Sequence, residues 1–127
     1  MEEVIRALLL NDEWIAHYAG NRVNFGSHPQ GEPFPGIVLN TISDNGGYLL
    51  ASPDGLNNAR LQADCYAGTY GAAKLLSRAV VNLLSGHSGY EIQGVFHAGS
   101  RDGREGGTNE AERLFRVSLD FIITYTI

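Results

Sequence analysis

The reactive inventory of this sequence is small. Its four histidines, His17, His28, His87 and His97, stand at no metal-ligand spacing, and neither Cys-x-x-Cys nor His-x-x-x-His occurs. His87 follows the end of a helical pattern, where a cation is mildly favoured. His97 closes a short strand pattern and reads as a surface histidine. Cys65 would need a histidine partner to act as a nucleophile, yet it shares strand parity with Leu61 and Ala63, which predicts a buried, inert thiol. Asp64 and Asp120 could pair for acid–base work. Each instead lies on the polar face of a strand pattern, which predicts a surface or a subunit contact. Gly103–Thr108, reading GREGGT, has the look of a phosphate loop but lacks the Gly-Lys-Ser/Thr ending and holds a glutamate at its centre. No catalytic residue, cofactor or metal is predicted.

The elements that would position these groups are organised around Ala59–Gly86. Leu61, Ala63 and Cys65 alternate with Arg60, Gln62, Asp64 and Tyr66, the period of a half-buried strand. After Ala67-Gly68 the period becomes helical. Ala72, Leu75, Leu76, Ala79, Val80 and Leu83 share one face, and Lys74, Ser77, Arg78 and Asn82 the other. Thr69 suits an N-cap and Gly86 a left-handed residue after the helix.

Upstream, Glu2 to about Tyr18 is helical, with Val4, Ile5, Leu8, Leu9, Ile15 and Tyr18 in phase and a break at Asn11-Asp12 where either residue can recap the chain. Trp14 reads as a partly buried edge of the core. Arg22–Phe25 is a short strand. Gly26–Gly36 is a proline- and glycine-rich loop, and Ile37–Ser43 a more central strand. Asp44-Asn45-Gly46-Gly47 is the strongest turn signal, and Tyr48–Leu50 can pair briefly before the loop at 52–58. Downstream, Ile92–His97 is a short strand and Ala98–Glu112 a long polar loop. The last strand is the clearest: Phe115, Val117, Leu119, Phe121, Ile123 and Tyr125 form one apolar face, and only Ile122 interrupts the polar one.

These patterns predict an α+β fold: a mostly antiparallel sheet of four to five strands with two helical elements packed on one face. A chain of 127 residues, 43% hydrophobic and 18% charged, reads as one domain over 1–127. No apolar run is long enough to span a bilayer, and Met-Glu-Glu has the wrong charge for a secretory leader. One cysteine fits a reducing cytoplasm. A net charge of −5 disfavours gripping a nucleic-acid backbone. Around the polar loop, Arg101, Arg104, Arg113 and Arg116 are balanced by Asp102, Glu105, Glu110 and Glu112, so the segment is a solvated loop or one that orders on a protein partner. The candidate contact residues are Phe34, Tyr48, Tyr66 and Ile122, with those four arginines.

The sequence resembles the tail-completion family of long-tailed bacteriophages and gene-transfer-agent particles, also called tail terminators or tail-to-head joining proteins. The resemblance rests on EEVIRALLLND followed by AGNRV, on HPQGEPFPGIVLNTIS leading into a strand, on SPDGLNNARLQADCYAGTYGAAKLLSRAV, and on the closing FRVSLDFIITY. It runs in order over nearly the whole chain, and the glycine-rich 98–112 stretch departs from it. It implies a structural virion protein at the head-proximal end of the tail, a six-fold ring that stops tube polymerisation and docks the head-completion (stopper) protein, with DNA passing through its lumen. It brings no catalytic residues. Six copies would carry roughly −30, a field that repels rather than holds DNA. The alternatives are a head-completion or tail-tube subunit, or a small ligand-binding domain using the glycine-rich loop and His97.

Overall fold

Two capping residues set the helical layer. In this computed structural model, which describes residues 1–44, 56–106 and 113–126, the first helical region divides at Asp12 into α1 (Glu2–Asn11) and α2 (Glu13–Ala19). The Asp12 carboxylate accepts from the Ile15 amide at 3.0 Å and so satisfies one of the free donors at the start of α2. Thr69 does the same for α3 (Tyr70–Leu84), accepting from the Ala72 amide at 3.2 Å. Gly86, at φ +78°, takes the left-handed conformation just beyond the end of α3.

Among the described residues five strands make one mixed sheet: β1 (Val23–Phe25), β2 (Gly36–Asp44), β3 (Leu56–Ala67), β4 (Ile92–Gly106) and β5 (Arg113–Thr126), in the order β1-β2-β3-β5-β4. The β1–β2 pair is parallel and the other three are antiparallel. The register aligns Ile37, Cys65 and Val117 across β2, β3 and β5, then Leu39, Ala63 and Leu119. With Leu61, Phe121 and Ile123 these form the buried face, packed with Ile5, Leu9 and Ile15 and with the buried side of α3. Each large side chain buried there contributes about 1.5–3 kcal/mol.

Several features differ from the sequence reading. β3 begins at Leu56, so residues 56–58 are strand rather than the end of the 52–58 loop. Residues 98–106 are not loop but the second half of β4, paired with β5 from Ile92↔Tyr125 to Gly106↔Arg113. A polar strand at a sheet edge needs no apolar alternation, so the pattern is silent there. On α3 the buried line is Ala73, Leu76, Ser77, Val80 and Leu84, rotated from the expected face, and Leu75 is exposed. Ser77 tolerates burial because its hydroxyl donates to the Lys74 carbonyl at 2.8 Å. Trp14 is 65% exposed rather than a core edge. Among the described residues there are three helices rather than two helical elements, because the first helical region divides fully at the break expected at Asn11-Asp12. The Asn45–Gly47 turn and the Tyr48–Leu50 pairing lie outside the described residues.

Candidate assembly surface

The sheet's second face, made by the even-numbered residues of β3 and β5, gathers most of the candidate contact residues. Tyr66 and Arg116 are directly opposed in register, as are Arg60 and Ile122. Phe34 reaches this face from the 26–36 loop, its ring 6.1 Å from Tyr66 and stacked on His28 at 4.1 Å. The 34–35 peptide is cis. Arg116 lies over Gly103, where a Cβ would stand 2.7 Å from its Nη2, so glycine makes room for the guanidinium. Arg101 crosses from β4 to ion-pair with Asp120. Arg104 departs from the group. It stands opposite Phe115 and lies over that ring at 4.7 Å, beside Tyr70 near the start of α3. Tyr48 and the Arg113 side chain lie outside the described residues.

Asp64 and Asp120 are not surface groups: they are 6% and 8% exposed. Gln62 donates to both oxygens of Asp64, at 3.0 and 3.2 Å, and sits in register with Asp120. Burying a carboxylate costs free energy unless it is hydrogen-bonded or paired, and here Gln62 and Arg101 supply those partners. The result is a fixed polar band across β3, β5 and β4. No acid–base pair is formed, since each carboxylate is engaged by its own neighbour. Beside the band is an apolar pair that the sequence reading only half found. Ile122 is 38% exposed, and its partner in register is Phe96, 66% exposed. Ile42, 53% exposed, is the extra residue where the β2–β3 register shifts between Thr41 and Ser43, and Arg60 of β3 stands between that point and Ile122. The strand pattern singles out Ile122, but only the register shows that Phe96 stands beside it.

A second apolar region lies among the helices. Two adjoining grooves of about 440 and 560 Å³ share Asp12 and Leu83. Trp14, Tyr18 and Leu75 line one, and Val4, Leu8 and Tyr90 the other. Leu75 and Trp14, the two residues whose burial the sequence reading overestimated, are both here.

Cys65 is fully buried, and burial pushes its thiol well above the ordinary range, with nearby Asp64 adding to the shift. Such a thiol is neither a nucleophile nor a metal ligand near neutrality. His97 is half-buried rather than on the surface, its ring 5.2 Å from Phe121 and its Nε2 enclosed without a hydrogen-bond partner among the described residues. Among the described residues no cluster of three or more His, Cys, Asp or Glu could hold a metal ion.

No curated protein matches the chain in sequence. A chain from the "Virion of native gene transfer agent (GTA) particle" is similar in structure, with a TM-score of 0.69 over 95% of this chain and 90% of that one, at 17% identity. That likeness supports the fold: an α+β protein of this topology has been seen before. The model of the family Tail completion protein gp17 matches residues 3–126, and with a match over nearly its whole length the chain belongs to that family.

Proposed function

We propose that this protein is the tail terminator of a phage-type particle. It caps the head-proximal end of the tail tube as a closed ring of identical subunits, six by family resemblance, ends tube polymerisation and presents a docking surface to the head-completion protein. Its place is the tail of the virion after assembly in the host cytoplasm, and DNA passes through the lumen without being gripped by an acidic ring. Tail completion as such is the role of its family; the position, the stoichiometry and the partners are the proposal.

The observation that carries it is the presence of two different exposed apolar regions on one chain, the Ile122–Phe96 pair and the Trp14–Leu75 groove. A ring is built from heterologous contacts, in which one patch meets a different patch on the next subunit and the rotation closes. A monomeric protein gains nothing from exposing both. Arg101 lies beside the first patch, Phe34, Tyr66 and Arg116 lie six residues further along the same sheet face, and Tyr48, Arg104 and Arg113 are retained as contact residues on the sequence reading.

The test is electron microscopy of tails assembled with and without the protein. Tails of irregular length that fail to join heads, restored by adding the protein, support the proposal. Uniform tails that join heads normally in its absence overturn it, and long tubes formed by the purified protein alone make it a tube subunit instead.

A further inference from the structure

The outer edge of β4 combines an open backbone with an unused positive charge. Among the described residues β4 has β5 on one side and no strand on the other. Lys74 and Arg78, one turn apart on α3, point to the same side. The Lys74 ammonium meets Asp102 of β4 at 2.8 Å, and the Tyr70 hydroxyl donates to the same carboxylate at 2.8 Å. Two residues back along β4 the equivalent position is Ser100, which is too short to repeat that pairing. Arg78 has no hydrogen bond or ion pair with any described residue. Between them lies a cleft of about 350 Å³, walled by Arg78, Asn82, His97 and Ser100 and floored by Val117 and Leu119. The unpartnered Nε2 of His97 is enclosed on the β4 wall.

We propose that the β4 edge binds an extended segment of a partner protein as an added strand, and that the cleft takes an Asp or Glu side chain of that segment. The added strand pairs with the open N–H and C=O groups of β4. Its carboxylate accepts from Arg78 and from His97 or Asn82, completing at Ser100 the contact that Asp102 already makes with Lys74. A carboxylate is the chemistry selected because the cleft offers donors and cations and no acidic side chain. The inference rests on the assembly reading only in taking the partner to be a protein. It is tested on the isolated protein, so a failure in the tail experiment leaves its outcome intact.

The experiment measures binding of three blocked nonapeptides of alternating Thr and Val, with Glu, Gln or Lys at the centre. Fluorescence anisotropy gives affinity, and amide hydrogen exchange locates the contact. The Glu peptide is expected to bind with new protection along β4, and the Gln peptide to bind about tenfold more weakly, as for loss of a charge-assisted hydrogen bond. Arg78→Glu should lose the Glu peptide and gain the Lys peptide, while Arg78→Lys keeps the original preference. Arg78 is exposed, and unchanged circular dichroism of both variants secures the comparison. Equal affinity for Glu and Gln peptides, an Arg78→Glu protein that still prefers Glu, or protection away from β4 overturns the proposal. So does protection of β4 by self-association alone with no peptide bound, which makes the occupant a second copy of this chain.

Discussion

The two faces of the sheet are made by the same strands and obey different rules. On the buried face every residue from Leu61 to Ala67 and from Val117 to Ile123 is apolar. Any one of these positions is replaceable in kind, because burial and volume are all it supplies. On the open face the burial is comparable at Asp64 and Asp120, but it is held by specific donors, Gln62 and Arg101. On the proposed function, the polar band and the exposed Ile122–Phe96 pair serve a contact outside the chain, so that stability would reside on one face and recognition on the other.

The sharpest way to break the distinction is to put a charge on the buried side. Leu76→Asp or Val80→Asp strands an unpaired carboxylate in the core and should cost about 4 kcal/mol or more, a large part of the stability of a domain this size, read as loss of cooperative unfolding in urea. Neighbours 121 and 122 sharpen it. Phe121→Ala should cost about 3–5 kcal/mol, whereas Ile122→Ala should change unfolding by less than about 0.5 kcal/mol and yet impair joining of tails to heads. Equal stability losses at the two positions would erase the distinction. Arg101→Met releases Asp120 from its ion pair. With the arginine itself well exposed, a cost of about 1 kcal/mol is expected, together with faulty assembly. Cys65→Ala should cost about 1 kcal/mol and leave assembly intact; a stably folded variant that no longer joined heads would give this thiol a role beyond packing.

The smallest effect is in pH. Burial first, and then the hydrogen bond to Asp44 at 2.6 Å, push the Tyr125 phenol up to about 12. The fold therefore favours the protonated phenol, so this contribution is complete below pH 10, the ordinary tyrosine value, and is lost as pH rises toward 12. Ultraviolet titration should show a late-ionising tyrosine that disappears in Tyr125→Phe.

The buried face was legible because alternation and helical phase are imposed by the core. Leu61, Ala63, Cys65 and the Phe115–Tyr125 series declare themselves, and so does the cap at Thr69; the sequence marks the break at Asn11-Asp12, and the structure makes Asp12 the cap. The open face was half legible. Ile122 stands out against polar neighbours, but Phe96 becomes its companion only through the β4–β5 register, which is a property of pairing. Asp64 and Asp120 looked exposed because nothing local announces that Gln62 and Arg101 cover them. Residues 98–106 were hidden because an edge strand rich in glycine and charge has the composition of a loop. On α3 the error was one of rotation. Apolar residues occupy more than half the helix circumference, so periodicity could not choose between Leu75 and Ser77 for the core.

The ladder between β3 and β5 has a kinetic consequence. Its pairs join residues from 48 positions apart, at Ala67 and Phe115, to 70 apart, at Leu56 and Thr126. Closing loops of that size is slow compared with forming a helix or pairing β4 with its sequence neighbour β5. Gln62 and Asp64 meet Ser118 and Asp120 only when this ladder closes. The polar band beside the proposed contact residues is therefore complete only once the most distant parts of the chain have met, whereas the Ile122–Phe96 pair needs only the β4–β5 ladder.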